Sequence, residues 1–455
     1  MKKIYSIILV FICFSLHSQI INFPDANFKL KLLSSNTTNS IAIDSNNNNI
    51  KIDANNNGEI EISEALQVYK LFYTSNSNGE IPFKNTTATS NPITNLTGIS
   101  YFSNLRYLNV NVNELTTIDL SNNVLLEQLY CYSNQINTLN LNNLNNLSIL
   151  NIRENNLNSL DTTIFPQLTY LDCSHNNFSS LNLSANSNLN TLFCSHNNLQ
   201  NLDVINNLLL IRLNCNDNQI SSLTLNNLSD LQYLNFSQNL ISYFNFANFN
   251  NLKTITCASN QLNSLVFNNN SQLIYLYCPS NNLTDLDVSQ TSLKYLDCSI
   301  NSNLTFINIK NAVLTPQYND SNPIGPPNFP SFNFNGLTSL NYLCFDDGEQ
   351  TAIQTGFSGT IPSNVQLSTT CTLITNNNLI STDLIISPNP AYNFLTIYLK
   401  NYEIFEISIY NSLGQLVKEL RDNTDTIDVS NLKKGTYFIT VTSENSIETQ
   451  KFIKI

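Results

Sequence analysis

The sequence predicts a solenoid of short stacked coils with a parallel β-sheet on its concave face, a small helical cap in front and a β-sandwich behind. Three observations predict it. Asparagines recur at 21-residue intervals from Asn113 through Asn134, Asn155, Asn176, Asn197, Asn218, Asn239 and Asn260 to Asn281. Apolar residues hold fixed phase ahead of each one. From Leu384 onward that ladder stops and alternating apolar strands begin.

The first element in chain order is a targeting signal. Lys2 and Lys3 precede the apolar run from Ile4 to Phe14, and Ser18 offers a small residue for cleavage before Gln19. Residues 1–18 therefore read as a secretory signal peptide. The run falls short of the ~20 residues a spanning helix needs, so no integral membrane segment is expected after cleavage.

Residues 19–92 form the expected N-terminal cap. Pro24 to Leu33 reads as a short amphipathic helix with proline early. The stretch from Asp53 to Glu64 follows, with Gly58 at its sixth position and Glu64 at its twelfth. It resembles an EF-hand calcium loop, which takes oxygen ligands at positions one, three, five, seven and twelve. The resemblance implies Asp53, Asn55, Asn57, the Glu59 carbonyl and Glu64 as ligands of one structural Ca²⁺. With asparagine at two ligand positions, affinity should be modest.

Residues 93–371 hold the repeats and their C-terminal cap. Eight positions before each ladder asparagine stands a leucine, from Leu105 to Leu293. Five before stands leucine, or Ile255 in one coil, and three before is often cysteine. The consensus LxxLxCxxNxLxxLxL resembles the leucine-rich repeat family in the short bacterial form of the internalins. That family implies a solenoid. The physics agrees: one coil cannot bury its apolar face alone, so coils stack and share a core. Each ladder amide can donate to and accept from the turn backbone. Ten coils at ~4.8 Å make a sheet about 45–50 Å long.

Seven cysteines, from Cys131 to Cys298, take the inward position and read as small buried hydrophobes. Cys344 and Cys371 lie outside the repeats in an exported chain and are the expected disulfide, pinning the C-terminal cap. The strand-like stretch from Leu337 to Cys344 reads as a last repeat.

After a linker at 372–383, residues 384–455 show seven short alternating strands, consistent with a β-sandwich. The motifs Pro388-Asn389-Pro390, Asn411-x-x-Gly414-Gln415, Leu432-x-x-Gly435-x-Tyr437 and the closing Lys451-Phe452-Ile453-Lys454 resemble the type A C-terminal sorting domain of the type IX secretion system. That resemblance implies type IX secretion machinery as a partner, and a secreted or surface-attached destination.

Charge and composition exclude several functions. Charged residues make up 11% of the chain and the net charge is −12, which argues against nucleic-acid binding. The histidines left after signal cleavage are His175 and His196, at equivalent positions of adjacent coils, and they read as a solvated pair. No GxSxG, HExxH, P-loop or GxGxxG motif is present, so no enzyme is expected. The informative surface is the strand face opposite the leucines, where Tyr107, Tyr130, Tyr170, Phe193, Tyr233, Tyr275, Tyr277 and Tyr295 stand. The strand alternation predicts these as exposed aromatics, suited to binding a protein or glycan. The competing expectation is a structural spacer with no specific ligand.

Overall fold

The computed structural model describes residues 19–73, 91–313, 332–349, 364–371 and 384–454, with short breaks inside these stretches, and the single residues 353 and 361. Residues 1–18, expected to be a signal peptide, residues 372–383, expected to be a linker, and residues 314–331 lie outside the described residues. The chain divides into two compact units, Met1–Leu367 and Ser368–Ile455.

The first unit is a β-solenoid. Among the described residues its main sheet has 13 strands. Two short leading strands, Ala42–Ile43 and Lys70–Leu71, pair antiparallel, and the second then pairs in parallel with Tyr107–Asn109. From there three-residue strands follow in parallel, one per coil, to Tyr295–Asp297 and finally Phe332–Asn333. Register tracks the sequence period: Arg212 lies opposite Tyr233, and Tyr233 opposite Thr254. The middle residue of each repeat strand, such as Leu108, Leu150, Leu192, Leu234 and Leu276, is fully buried. The cysteines three before the asparagines are buried and free.

The asparagine ladder closes each turn. Asn155 Oδ1 accepts from the Ile136 N–H at 2.9 Å, while its Nδ2 donates to the Cys131 carbonyl of the preceding coil and the Ile152 carbonyl of its own, both at 3.0 Å. The residue before each ladder asparagine adopts left-handed backbone, as at His175 (φ 54°) and Asp217 (φ 53°). A second set of amides lies 11 residues before the ladder. Asn123, Asn186, Asn207 and Asn270 are buried and donate to carbonyls one coil back, as Asn186 Nδ2 does to Phe165 O at 2.8 Å.

Short strands also pair on the other side of the coils. One set runs Asp285–Asp287, Phe306–Asn308, Tyr342–Cys344 and Gln366–Ser368. The strand ending at Cys344 therefore belongs to this set and not to the main sheet, whose last strand is Phe332–Asn333. At the N-terminal end, the helix Ala26–Leu33 buries Phe28 and Leu32. Its cap Asp25 accepts from Phe28 N–H at 2.9 Å and from Thr94 N–H at 2.6 Å, tying the helix to the first coil.

The second unit holds a three-stranded sheet (Leu384–Ser387, Phe394–Leu399, Thr426–Asp428) and a four-stranded one (Ile404–Asn411, Leu416–Leu420, Gly435–Ser443, Ile447–Lys454). Both contribute to one apolar core that includes Leu395, Ile397, Ile407, Ile439 and Phe452.

Candidate functional site

Because the middle residue of each strand enters the core, its first and third residues stand on the outer face of the main sheet. All eight aromatics named from the sequence occupy those two rows. They are not exposed, which corrects the sequence expectation. Tyr107, Phe193, Tyr275 and Tyr295 are buried, and Tyr130, Tyr170, Tyr233 and Tyr277 are half-buried. The reason lies between coils: strands ~4.8 Å apart bring neighbouring rings into contact, and each covers part of the next. Ring centroids lie 5.3 Å apart for Tyr107 and Tyr130, 5.9 Å for Tyr170 and Phe193, and 6.1 Å for Tyr275 and Tyr295. Burial pushes the phenols of Tyr130, Tyr170 and Tyr275 well above their ordinary range, so they present neutral hydroxyls. The Tyr170 hydroxyl has no hydrogen-bond partner among the described residues.

The same face holds charged groups beside the aromatics. Arg212 is exposed, with its guanidinium 5.5 Å from the Phe193 ring centroid and 5.7 Å from that of Tyr233. Asp172 is buried, its Oδ1 accepting from the Ser174 N–H at 3.1 Å, and burial pushes its carboxyl up to about 6. A sequence signal existed for both: they occupy the same two phases of the repeat as the aromatics.

His175 and His196 stack with centroids 4.0 Å apart and planes 16° from parallel, and His196 Nδ1 lies 2.5 Å from Asp217 Oδ2. Burial lowers the pKa of His175, and the neighbouring His196 lowers it further.

The loop at 53–64 is closed by its own side chains. Asp53 accepts from the Asn57 N–H at 3.0 Å and the Gly58 N–H at 3.3 Å. Gly58 sits at φ +80°, where a side chain would be strained. Asn55 Oδ1 accepts from Asn57 N–H (3.0 Å) and Asn57 Oδ1 from Glu59 N–H (2.8 Å). Glu64 reaches back to the N–H groups of Ala54 (2.8 Å) and Glu61 (3.0 Å). The Glu59 side chain pairs with Lys29 at 2.6 Å, which leaves only its carbonyl for the loop. Glu61, at position nine, is an acid the sequence reading did not single out. It accepts from Asn55 Nδ2 at 3.2 Å and Asn57 Nδ2 at 2.7 Å. Burial and the adjoining Glu61 raise the Glu64 carboxyl, while its hydrogen bond with Glu64 lowers that of Glu61. Asp53, Glu61 and Glu64 are linked through shared hydrogen-bond partners, and among the described residues no three acidic, histidine or cysteine side chains come together as a metal-holding group.

Cys344 and Cys371 are both disulfide-bonded.

Comparison with known proteins finds two family matches. Residues 74–176 match the leucine-rich repeat domain of the endo-beta-N-acetylglucosaminidase EndoS, and residues 386–455 match the secretion system C-terminal sorting domain. The chain is a leucine-rich repeat protein with a secretion sorting domain. Among solved structures, the leucine-rich repeat protein resembles the functional domain of InlJ from Listeria monocytogenes at 21% identity, covering 96% of this chain and 100% of that one with a TM-score of 0.43. An internalin, inlF, of the same organism is 21% identical, with 78% of this chain and 98% of that one covered and a TM-score of 0.48. A leucine-rich repeat protein of Leptospira interrogans is 20% identical over 61% of this chain and 82% of that one, with a TM-score of 0.41. An endo-acting ulvan lyase of Formosa agariphila is 34% identical over 73 residues, 15% of this chain. That match spans 14% of the lyase's length. The sorting domain makes this leucine-rich repeat protein a secreted or outer-surface protein. Among the described residues no helix is long and apolar enough to cross a membrane.

Proposed function

We propose that this protein is an exported, non-enzymatic recognition protein that holds a protein or glycan partner against the concave outer face of its main sheet. The observation that carries the reading is the concentration of aromatic side chains on that one face, in two rows, with rings braced against one another across coils. Braced tyrosines offer contact area and hydroxyls at little entropic cost on binding. The residues 384–455, read as a β-sandwich, direct export through the type IX machinery and take no part in the contact. A spacer with no ligand is the competing reading.

The test is a screen of the exported chain against immobilised proteins and glycans, followed by Tyr130→Ala and Tyr233→Ala on any ligand found. Recognition predicts a saturable ligand whose binding falls with these variants. A chain with no ligand in either class supports the spacer.

We further propose that Asp53, Asn55, Asn57, Glu64 and the Glu59 carbonyl, with Glu61 beside them, bind one Ca²⁺. A cation there would offset the repulsion between Glu61 and Glu64 and rigidify the N-terminal cap.

A further inference from the structure

One coil departs from its neighbours on the side away from the main sheet. There the turn at 205–209 exposes three large apolar side chains, Ile205 (56%), Leu208 (49%) and Leu209 (52%). At the same three phases the preceding coil carries Ser184, Ser187 and Asn188, and the following coil carries Ser229 and Asp230 at the last two. The turn is held by its own backbone: the Asn207 N–H donates to the Val204 carbonyl at 3.0 Å, and the Leu210 N–H to the Asn207 carbonyl at 3.1 Å. Exposed apolar side chains gathered at one spot, rather than scattered singly, mark a contact surface.

A pocket of about 50 Å³ opens in the same stretch, with Leu181, Asn182, Ser184, Asp203 and Asn207 among its lining. It has room for a group the size of a water or an ammonium. Its acceptors outnumber its donors. Asn207 is 1% exposed, and its Nδ2 is committed to the carbonyls of Leu183 (3.2 Å) and Asn186 (2.8 Å), while its Oδ1 has no hydrogen-bond partner among the described residues. Three coils on, Asn270 Oδ1 takes the Asn268 N–H at 2.8 Å; here the equivalent N–H, that of Ile205, goes to Asp203 Oδ1 at 3.0 Å instead. Asp203 in turn lacks a donor that its counterparts have. Asp119 and Asp287 accept from the side-chain amides of Asn140 (3.0 Å) and Asn308 (3.2 Å) on the next coil. The next coil sets Thr224 beside Asp203, and no side chain among the described residues donates to its carboxylate. Such a pocket suits a ligand that only donates, as an ammonium with three N–H groups or a guanidinium with five does.

We propose that this surface docks a protein segment carrying a lysine or arginine flanked by apolar side chains, the cation entering the pocket beside Asp203 and its apolar neighbours covering Ile205, Leu208 and Leu209. A bare metal ion would satisfy the acceptors and leave the three apolar side chains in water. A second copy of the chain is disfavoured by the net charge of −12, which repels its like and attracts a basic partner. The surface lies away from the main sheet, so the inference stands apart from the reading of the outer face.

The test uses the full exported chain and two synthetic peptides of equal length, one built of leucine and lysine and one with glutamate in place of each lysine. Saturable binding of the leucine–lysine peptide, weakened by salt, is expected, with little binding of the leucine–glutamate peptide. Asp203→Asn installs the residue type that Asn182 supplies one coil earlier, and the triple variant I205S/L208S/L209N installs those of Ser184, Ser187 and Asn188. Each should lower the affinity about tenfold with unchanged melting. Tyr233→Ala, on the outer face, should bind the peptide as the parent does. No binding of the leucine–lysine peptide, equal binding of the two peptides, or unchanged affinity in either variant would overturn the proposal. Loss of peptide binding in Tyr233→Ala would overturn it too, by putting the peptide on the outer face.

Discussion

Replacing Asn197 by alanine removes one rung of the asparagine ladder near the middle of the solenoid. Asn197 Oδ1 accepts from the Phe178 N–H at 3.0 Å, and its Nδ2 donates to the carbonyls of Cys173 (3.1 Å), Cys194 (3.2 Å) and Ser195 (3.1 Å). Those carbonyls keep a second donor each: Asn176 Nδ2 for Cys173, Asn218 Nδ2 for Cys194 and the His175 N–H for Ser195. The Phe178 N–H has no other acceptor among the described residues, and Phe178 is 1% exposed. Orphaning a buried donor costs about 1–3 kcal/mol, and the hydrogen bonds lost with it about 1 kcal/mol more, so the variant should lose about 2–4 kcal/mol. Asn198, the next residue, is exposed, and its alanine variant should stay within about 0.5 kcal/mol of the parent. Urea unfolding of the full chain, followed by circular dichroism, compares the two. Equal midpoints for Asn197→Ala and Asn198→Ala would refute the argument that the ladder amides, rather than asparagine content as such, hold the coils.

Three further outcomes follow from the same physics. Burial raises the folded-state pKa of Asp172 to about 6, above its unfolded value, so the folded chain holds the proton more tightly; its contribution to stability therefore falls as pH rises from about 4 through 6. Asp172→Asn should then be more stable than the parent at pH 7.5, by up to about 2–3 kcal/mol, and should match the parent at pH 4; a gain of the same size at both values would contradict this. Calcium at a hundredfold excess over its Kd should add about 2.7 kcal/mol, a response that Glu64→Gln abolishes, and identical melting in calcium and in chelator would rule the site out. Deleting residues 384–455 should leave the folded remainder in the periplasm, and normal delivery of the shortened chain outside the cell would contradict the sorting role.

Much of the solenoid was legible because its repeat leaves a mark at every coil. The inward leucine, the cysteine phase and the asparagine recur at fixed positions of every coil, so the 21-residue period stands out in one chain. What depends on contacts between coils did not. The burial of Tyr107 and Tyr275 comes from rings on neighbouring strands, and no single coil records it. Truncating these tyrosines should therefore cost packing as well as contact, more than their alternation alone implies. The main sheet's last strand, Phe332–Asn333, was missed because the Pro- and Asn-rich segment before it breaks the period. Glu61 was missed because position nine of a calcium loop accepts many residue types. The second row of buried amides, Asn123, Asn186, Asn207 and Asn270, shares the period but alternates with leucine and phenylalanine at the same phase, which hides it among so many asparagines.

The central claim is that the outer face of the main sheet recognises a partner. The most direct measurement takes a ligand from the screen and determines affinity and folding stability for Tyr233→Ala and for its neighbour Leu234→Ala. Tyr233 is half-buried on the outer face, while Leu234 is fully buried behind it. Recognition predicts that Tyr233→Ala weakens binding at least tenfold, about 1.4 kcal/mol, for a smaller loss of stability than Leu234→Ala. Leu234→Ala should cost about 2–5 kcal/mol of folding yet bind normally wherever it remains folded. Undiminished affinity in Tyr233→Ala, with binding lost only where the fold is lost, would contradict the claim.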